Sequence, residues 1–229
     1  MSEELITKNP AALAKLPTAR RKRRAAWTSE EARRFLESAR DGEDPLYAAY
    51  VLVLVLGLRR GEVLGLTWDD LDLAAEELTI SLQLQRISGQ LLHRETKTEA
   101  SDATLPLPAI CSAALRHRRR RQDAARAAVG DAWQDGRFVF TTRYGRPIEP
   151  RNFHRSFRAR TTRAGVRPLT IHDARRTCAT LLVDLDVHPR VVMRILRDAQ
   201  VDVTMEIYTQ ASSAKTREAL RRLGESLDG

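Results

Sequence analysis

Apolar residues along this chain recur mostly at helical spacing. Residues 28–40 begin with Thr28 and carry Glu31 three positions later, a pattern typical of a capped amphipathic helix. Helical spacing returns in residues 108–129, in residues 153–164 after a turn-rich loop, and in the short stretches that follow "LTIHDARRTCATLLV". The pattern therefore predicts a mainly helical fold.

A continuous apolar run occupies residues 46–58 and follows Asp44 and Pro45. We predict a helix buried on every side, with Asp44 as its cap and Pro45 at its first helical position. Gly57 is expected to end or bend this helix. Arg59 would then lie beside the core.

The period changes to two in the middle of the chain, where apolar and polar residues alternate. Ser88 and Gly89 mark a turn, and residues 104–107 form another short extended piece. Later in the chain, beyond the helical residues 108–129, "RFVF" (137–140) indicates a brief strand or an extended entry. The alternating apolar positions are Leu78, Ile80, Leu82 and Leu84. We predict a small three-stranded antiparallel sheet inserted into the helical fold, which makes the class α+β.

The length of 229 residues and a hydrophobic content of 42% are sufficient for one substantial core. We expect a basic tail or linker remnant over residues 1–24, one domain over 25–211 and a C-terminal helix over 212–229. The last helix carries an apolar stripe of Leu220, Leu223 and Leu227, which would pack either on a neighbouring protomer or on its own core.

The formal net charge of +9 and the pI of about 10.2 favour a polyanionic partner, most simply nucleic acid. Two basic runs, residues 19–24 and 116–121, would either contact phosphate or be solvated. Because 34 of the 39 basic residues are Arg, a motif that contains a single Arg is weak evidence. The apolar run at 46–58 is too short to span a bilayer, so we expect no membrane association and a cytoplasmic location.

The two Cys residues, Cys111 and Cys178, lie far apart in sequence and form no CxxC pair. This spacing argues against a disulfide framework and against a zinc site.

Three short motifs could carry chemistry, although each has an ordinary structural interpretation. His172 and Arg175 lie three apart near a predicted helix start, where both could point at one anion, but a second such pair at His117 indicates how easily the spacing arises by chance. Arg59 beside the core needs an anionic partner, and Glu62 could provide a purely structural one. Lys97 suits general-acid work, or simply keeps a sheet edge soluble.

The order of these motifs resembles the catalytic domain of the tyrosine recombinase family, the phage-type integrases. "GLRRGEVLGLTWDDLD" is followed by a lysine in a β-hairpin, then "LTIHDARRTCATLL" and finally "VTMEIYT". The resemblance runs from about Trp27 to Gln210, which is most of the chain. By periodicity alone, Tyr208 in the last motif would be a core aromatic.

The resemblance implies DNA strand cleavage and rejoining with no metal, cofactor or ATP. Tyr208 matches the nucleophile, which forms a 3′-phosphotyrosyl bond, and Arg59 and Arg175 match the arginines that grip the non-bridging oxygens. Lys97 matches the acid that protonates the leaving 5′-oxygen, and His172 the residue that assists proton transfer. The implied partner is double-stranded DNA, bound by a homo-oligomer, expected to be a nucleoid-associated tetramer.

Two features depart from the family pattern. The family reads Gly-His where this chain has Arg197 and Asp198. A carboxylate about 4 Å from a phosphate would cost on the order of 4 kcal/mol at an effective dielectric near 20, and losing one oxyanion donor costs roughly 2.7–4 kcal/mol. Asp198 would have to turn away, pair with Arg197 or stay protonated.

The second departure lies at the N-terminus. About 24 residues before the first helix are too few for the family's core-binding domain, and the basic run at 19–24 matches the linker between the two domains. Two other functions therefore stand beside a recombinase. One is a DNA-binding or assembly module that has lost catalysis, and the other is a type IB topoisomerase-like enzyme.

Overall fold

The computed structural model describes residues 26–95 and 103–197, together with Arg221 and Glu225. Within these residues the helices are α1 (Ser29–Asp41), α2 (Tyr47–Val55), α3 (Arg60–Gly65), α4 (Ala109–Val129), α5 (Pro150–Arg163), α6 (Ile171–Asp184) and α7 (Pro189–Leu196). The strands are β1 (Leu71–Asp72), β2 (Glu77–Ile80), β3 (Leu82–Ile87), β4 (Gln90–Glu95) and β5 (Ala103–Pro106). The mainly helical fold with a small antiparallel sheet is confirmed.

Helix α2 is the centre of the core. Its residues from Ala48 to Leu54 are all buried, and it packs against α1, α4 and α6. An aromatic cluster fills the space between α1, α2 and α5, with ring centroids 4.9 to 5.9 Å apart; its members are Trp27, Phe35, Tyr50, Phe153 and Phe157. No helix in the described part of the chain is long and apolar enough to cross a membrane.

The start of α2 differs from the prediction. The helix begins at Tyr47, and Asp44 does not cap it. One Asp44 oxygen accepts the N–H of Leu46 at 3.0 Å, and the other binds the buried guanidinium of Arg160 at 2.8 Å. Because this carboxylate is committed to a local turn and to α5, residues 44–46 form a turn instead of the first helical turn. Gly57, at φ 62°, follows the end of the helix as expected.

The strands divide into two sheets. Strands β1, β2 and β5 form a three-stranded antiparallel sheet, whereas β3 and β4 form a separate hairpin. The alternating run from Leu78 to Leu84 was predicted as part of one sheet, but its pairing breaks at Ser81 and β3 packs against α3 instead.

Two glycines of α3 allow the hairpin to approach closely. A Cβ on Gly65 would lie 2.8 Å from the Gln83 backbone, and one on Gly61 would lie 3.2 Å from the Leu84 carbonyl oxygen. The ring of His93 lies 2.8 Å from the Gly65 carbonyl oxygen and attaches β4 to the same helix. The hairpin is thereby fixed beside the residues that follow Gly57.

The basic run at 116–121 lies on α4, and part of it fits neither interpretation offered by the sequence. Arg118 is buried and donates from Nε to the Val139 carbonyl oxygen at 2.9 Å. Arg116 and Arg121 donate to the carbonyl oxygens of Leu73 and Glu43. These three guanidiniums tie α4 to neighbouring loops, so they serve the fold.

Several expectations fall on residues outside the described part. The tail 1–24 and the stripe of Leu220, Leu223 and Leu227 are among them, and so is the run at 19–24. The proposed boundaries of these segments therefore stay predictions.

The start of α1 generates a first prediction. Thr28 and Glu31 form the expected capping box, and Arg167 also donates to Glu31 at 2.8 Å. The hydrogen bond from Arg167 and those from Thr28 outweigh the effect of burial and lower the pKa of Glu31 to about 2. Because the folded-state pKa is depressed, this contribution to stability is complete above about pH 4.5 and is lost as the pH falls towards about 2.

Glu31→Gln should therefore lower the melting temperature at pH 7, and the difference from wild type should shrink between pH 4.5 and 2. Thermal unfolding followed by circular dichroism measures both. Glu37→Gln is the matched control, because its pair with Arg33 is exposed to solvent on the same helix and should contribute little to stability. A Glu31→Gln difference that stays constant with pH would contradict the assignment.

Candidate active site

A cleft of about 610 Å³ runs between the β3–β4 hairpin and the start of α6. It brings Arg59 together with His172 and Arg175, both of which lie far from Arg59 in the sequence. Its other lining residues are Leu58, Arg60, Gly61, Gln83, Leu84, Gln85, Arg86, Pro150, His154, Thr170 and Ile171. No Asp or Glu is among these described lining residues, so the walls favour an anion.

Arg59 lies at the junction between α2 and α3. It precedes the first residue of α3 with extended backbone angles, φ −71° and ψ 151°. Its Nη1 donates to Glu62 Oε1 at 2.7 Å, and its backbone N–H donates to Oε2 of the same carboxylate at 2.7 Å. The structural pair foreseen in the sequence thus exists, yet the Arg59 side chain is still 39% exposed and lines the cleft.

Arg175 is buried one turn into α6. Its Nη1 donates to the carbonyl oxygen of Gly57, and its Nη2 donates to that of Leu196. One guanidinium therefore connects the ends of α2 and α7 while it lines the cleft. A Cβ on Gly57 would lie 2.5 Å from Leu196 Cδ2, which shows how closely these two ends approach.

His172 is held by the start of α6. Thr170 caps the helix: its Oγ1 accepts the N–H of Asp173 at 3.1 Å, and the Asp173 carboxylate accepts the N–H of Thr170 at 3.1 Å. This capping box fixes the first turn, in which His172 is exposed and faces the cleft. Three of the five predicted site residues are thus brought together.

The other two predicted site residues, Lys97 and Tyr208, lie outside the described residues, and so does Asp198. Lys97 comes two residues after the end of β4, and Tyr208 comes twelve residues after the end of α7. Strand β4 pairs with β3, which lines the cleft, and the Leu196 carbonyl oxygen at the end of α7 accepts from Arg175. The positions of the Lys97 and Tyr208 side chains stay predictions.

Arg197 is the residue whose place the sequence did not foresee. It follows α7 in the left-handed conformation, φ 51° and ψ 46°, which costs a non-glycine residue roughly 1–2 kcal/mol. Its side chain is fully buried, and Nη2 donates to Glu62 Oε2 at 2.6 Å. The sequence did offer a signal, because Arg197 stands where the family reads Gly, and Gly is the usual residue in a left-handed conformation at a helix end.

Glu62 is ionised despite its burial. Burial raises its pKa, but the charge of Arg197 and the hydrogen bonds from Arg59 outweigh that effect and leave the pKa lowered. Burial also lowers the pKa of Arg197, against the charge of Glu62, although a guanidinium stays protonated in proteins. The site therefore rests on a cluster of one buried carboxylate, Glu62, with one buried cation, Arg197, and one partly exposed cation, Arg59.

Several residues that line the cleft were not predicted from the sequence. Arg60, Arg86, Pro150 and His154 also line an adjoining groove of about 790 Å³, together with Glu149, Arg151 and Asn152. Arg86 forms an ion pair with Glu149 across this groove. In a chain with 34 Arg residues, no local pattern distinguishes these side chains from solvated ones.

Other reactive side chains do not join the cleft. Cys111 and Cys178 are both free and buried. Burial raises the pKa of Cys178 to about 12, and the charges of Arg175 and Arg197 lower it by less. Its thiol is therefore neutral near pH 7. Within residues 26–95 and 103–197, no group of three or more His, Cys, Asp or Glu is placed to hold a metal ion.

Comparison with known proteins gives one consistent family. Residues 26–215 match the phage integrase family model. A tyrosine recombinase XerC-like protein of Caldanaerobacter subterraneus subsp. tengcongensis is 28% identical over 192 residues, covering 79% of this chain and 49% of that protein. An integrase of Saccharopolyspora erythraea is 28% identical, covering 83% and 55%. The chain thus spans about half the length of these relatives.

Solved structures agree on the fold. The Tn1549 transposon integrase in complex with transposon right end DNA matches 96% of this chain and 73% of its own, at a TM-score of 0.76 and 22% identity. The XerA recombinase matches 86% and 64%, at a TM-score of 0.67 and 22% identity.

The cluster around Glu62 generates a second prediction. Glu62→Gln removes the only described carboxylate that binds Arg197, so it should lower the free energy of unfolding by about 3 kcal/mol or more. Urea unfolding measures this change. Glu149→Gln is the control from the adjoining groove, because its pair with Arg86 is partly exposed to solvent and should contribute much less to stability. Equal effects of the two substitutions would contradict the role of Glu62.

Proposed function

Because the chain belongs to the phage integrase family, we propose that it is the catalytic domain of a site-specific DNA recombinase. It would cleave and rejoin DNA through a 3′-phosphotyrosyl intermediate. The observation that carries this proposal is the meeting of Arg59, His172 and Arg175 in one cationic cleft.

In the proposed reaction the Tyr208 oxygen attacks a DNA phosphorus. The new bond joins phosphorus to the tyrosine oxygen, and the bond that breaks is the one from phosphorus to the 5′-oxygen. His172 assists the transfer of the tyrosine proton, and Lys97 gives a proton to the leaving 5′-oxygen. A 5′-hydroxyl of the same or a partner strand reverses the step, so the phosphodiester energy is conserved.

Arg59 and Arg175 would bind the non-bridging oxygens as charge accumulates on them. Support comes from their fixed placement, since each guanidinium is held by hydrogen bonds to Glu62 or to backbone carbonyl oxygens. Donors that are already oriented before the reaction stabilise a transition state without reorganisation at that moment. Bidentate guanidinium contacts also suit a planar phosphoryl group.

The proposed partner is double-stranded DNA. The adjoining groove extends the basic lining through Arg60, Arg86 and Arg151, of which Arg86 pairs with Glu149. Its excess of positive charge suits a continuous polyanion. The Tn1549 integrase, which shares the fold, is in complex with transposon end DNA. We extend the proposal to a homo-oligomer on DNA, expected to be a tetramer, in the cytoplasm.

A second candidate is a DNA-binding module that has lost catalysis. It is favoured by Asp198, which stands where the family has a phosphate hydrogen-bond donor. An ionised carboxylate accepts hydrogen bonds and donates none. The two candidates differ in one measurable event, the covalent attachment of Tyr208 to DNA.

The proposed reaction predicts a covalent adduct. The substrates are nicked duplexes from which the short fragment with the 5′-hydroxyl dissociates after cleavage, and their core is randomised because the target is unknown. They should yield a protein–DNA complex that is stable to SDS. Tyr208→Phe should abolish it because the nucleophilic oxygen is gone. Tyr144→Phe is the control, since Tyr144 is an exposed tyrosine away from the lining of the cleft, and it should leave the adduct unchanged. An adduct that survives Tyr208→Phe would refute the assigned nucleophile.

Asp198→His generates a separate prediction. Restoring a donor and removing a negative charge should speed adduct formation by up to about a thousandfold, since losing one oxyanion donor costs about a hundredfold to a thousandfold. Single-turnover rates of wild type and variant on the same recovered duplex measure the change. An adduct seen only with Asp198→His would favour the module without catalysis. An unchanged or slower rate would show that Asp198 does not occupy the donor position.

A further inference from the structure

Arg197 combines a strained backbone with a fully buried charge. Its left-handed conformation suits glycine, and its side chain is 0% exposed. Neither feature is expected at the end of an ordinary helix. A residue that keeps both is held by specific contacts, and the contacts of Arg197 lead to Arg59.

Arg59 is held from both sides by Arg197 and Glu62. Arg59 Nη1 binds Glu62 Oε1 at 2.7 Å, while Arg197 Nη2 binds Glu62 Oε2 at 2.6 Å. Arg59 Nη2 donates to the carbonyl oxygen of Arg197 itself at 3.0 Å. The strained backbone thus presents the carbonyl, and the side chain fixes the carboxylate on the other side.

The net charge of Arg59, Glu62 and Arg197 is positive, which suits a site for an anion. Glu62 and Arg59 alone would form a neutral pair, which attracts an anion weakly. With Arg197 added, the cluster of two cations and one carboxylate keeps a net positive charge beside the cleft. Arg197 is not among the lining residues of the cleft, so it acts through Glu62 and Arg59 rather than on a phosphate directly.

We propose that Arg197 is a positioning residue for Arg59. It neutralises Glu62, offers its own carbonyl to Arg59 and ties the end of α7, which leads to Tyr208, to the phosphate-binding cleft. Its catalytic consequence rests on the proposed recombinase function. A guanidinium is suited to this place because Arg197 Nη1 also donates to the Ile195 carbonyl oxygen at 2.9 Å, which fixes its orientation.

The key variant is Arg197→Gly, because glycine fits the left-handed backbone and removes only the side chain. If Arg197 merely ended α7, Gly would function as well as Arg or better. The proposal instead predicts that single-turnover adduct formation at saturating DNA falls roughly 10- to 100-fold, as for residues that orient others in an active site. The DNA concentration for half-saturation should change less than about twofold, since most phosphate contacts are retained.

Two further variants test the cause. Arg197→Lys restores the charge and keeps the backbone strain, so it should recover part of the lost rate and also serves if the glycine variant fails to fold. Arg194→Ala removes an exposed arginine from the same helix and controls for the loss of one positive charge. It should leave the single-turnover rate at saturating DNA within about twofold of wild type.

Amide hydrogen exchange gives a readout that needs no reaction. Residues 59–66 should exchange faster in Arg197→Gly than in wild type, and Arg197→Lys should slow them again. If residues 59–66 exchange at the wild-type rate in Arg197→Gly, the proposal is overturned. It is also overturned if they exchange faster but the variant forms the adduct at the wild-type rate. If wild type forms no adduct, the recombinase function fails, and exchange at residues 59–66 alone then decides whether Arg197 positions Arg59.

Discussion

The site depends on one buried carboxylate. Glu62 is 2% exposed and receives charge-assisted hydrogen bonds from Arg59 and Arg197, two residues 138 positions apart. Arg175 adds a second connection between the same two chain segments through the carbonyl oxygens of Gly57 and Leu196. The ends of α2 and α7 are thereby joined, and the cleft lies where they meet.

Such a cluster is a poor way to stabilise a fold. Burying ions costs several kcal/mol each, and well-packed apolar residues often do as well or better. Its value lies in fixing the guanidinium of Arg59 before a reaction, so that this cation need not move during it. The strained backbone of Arg197 adds to the cost, which makes a purely structural explanation of the cluster weaker still.

The sequence predicted elements whose signals are local. The capping box of Thr28 and Glu31, the break at Gly57 and the helix that carries His172 and Arg175 all follow from neighbouring residues. The misjudged features depend on distant partners. Asp44 does not cap α2 because its carboxylate binds Arg160, more than a hundred positions away.

The same reason explains the sheet and the arginines. The hairpin of β3 and β4 leaves the first sheet because Gly61 and Gly65 on α3 let its backbone come close, a fit that alternation cannot reveal. Arg118 and Arg197 are buried while many other arginines are not, and only the carbonyl or carboxylate that meets each one makes the difference. In an arginine-rich chain, residue type alone carries little information about role.

The family reads Gly-His where this chain has Arg197 and Asp198, and the two residues have separate effects on the site. If Arg197 and Asp198 paired with each other, their charges would cancel and the pair would add no net charge to the site. The contacts of Arg197 point elsewhere, because both of its terminal nitrogens are engaged, one by Glu62 and the other by the Ile195 carbonyl oxygen. The added cation therefore strengthens the support behind Arg59. A cation behind the site raises the local potential but cannot replace a hydrogen-bond donor at a defined oxygen, since directed donors stabilise a transition state by position as well as by charge.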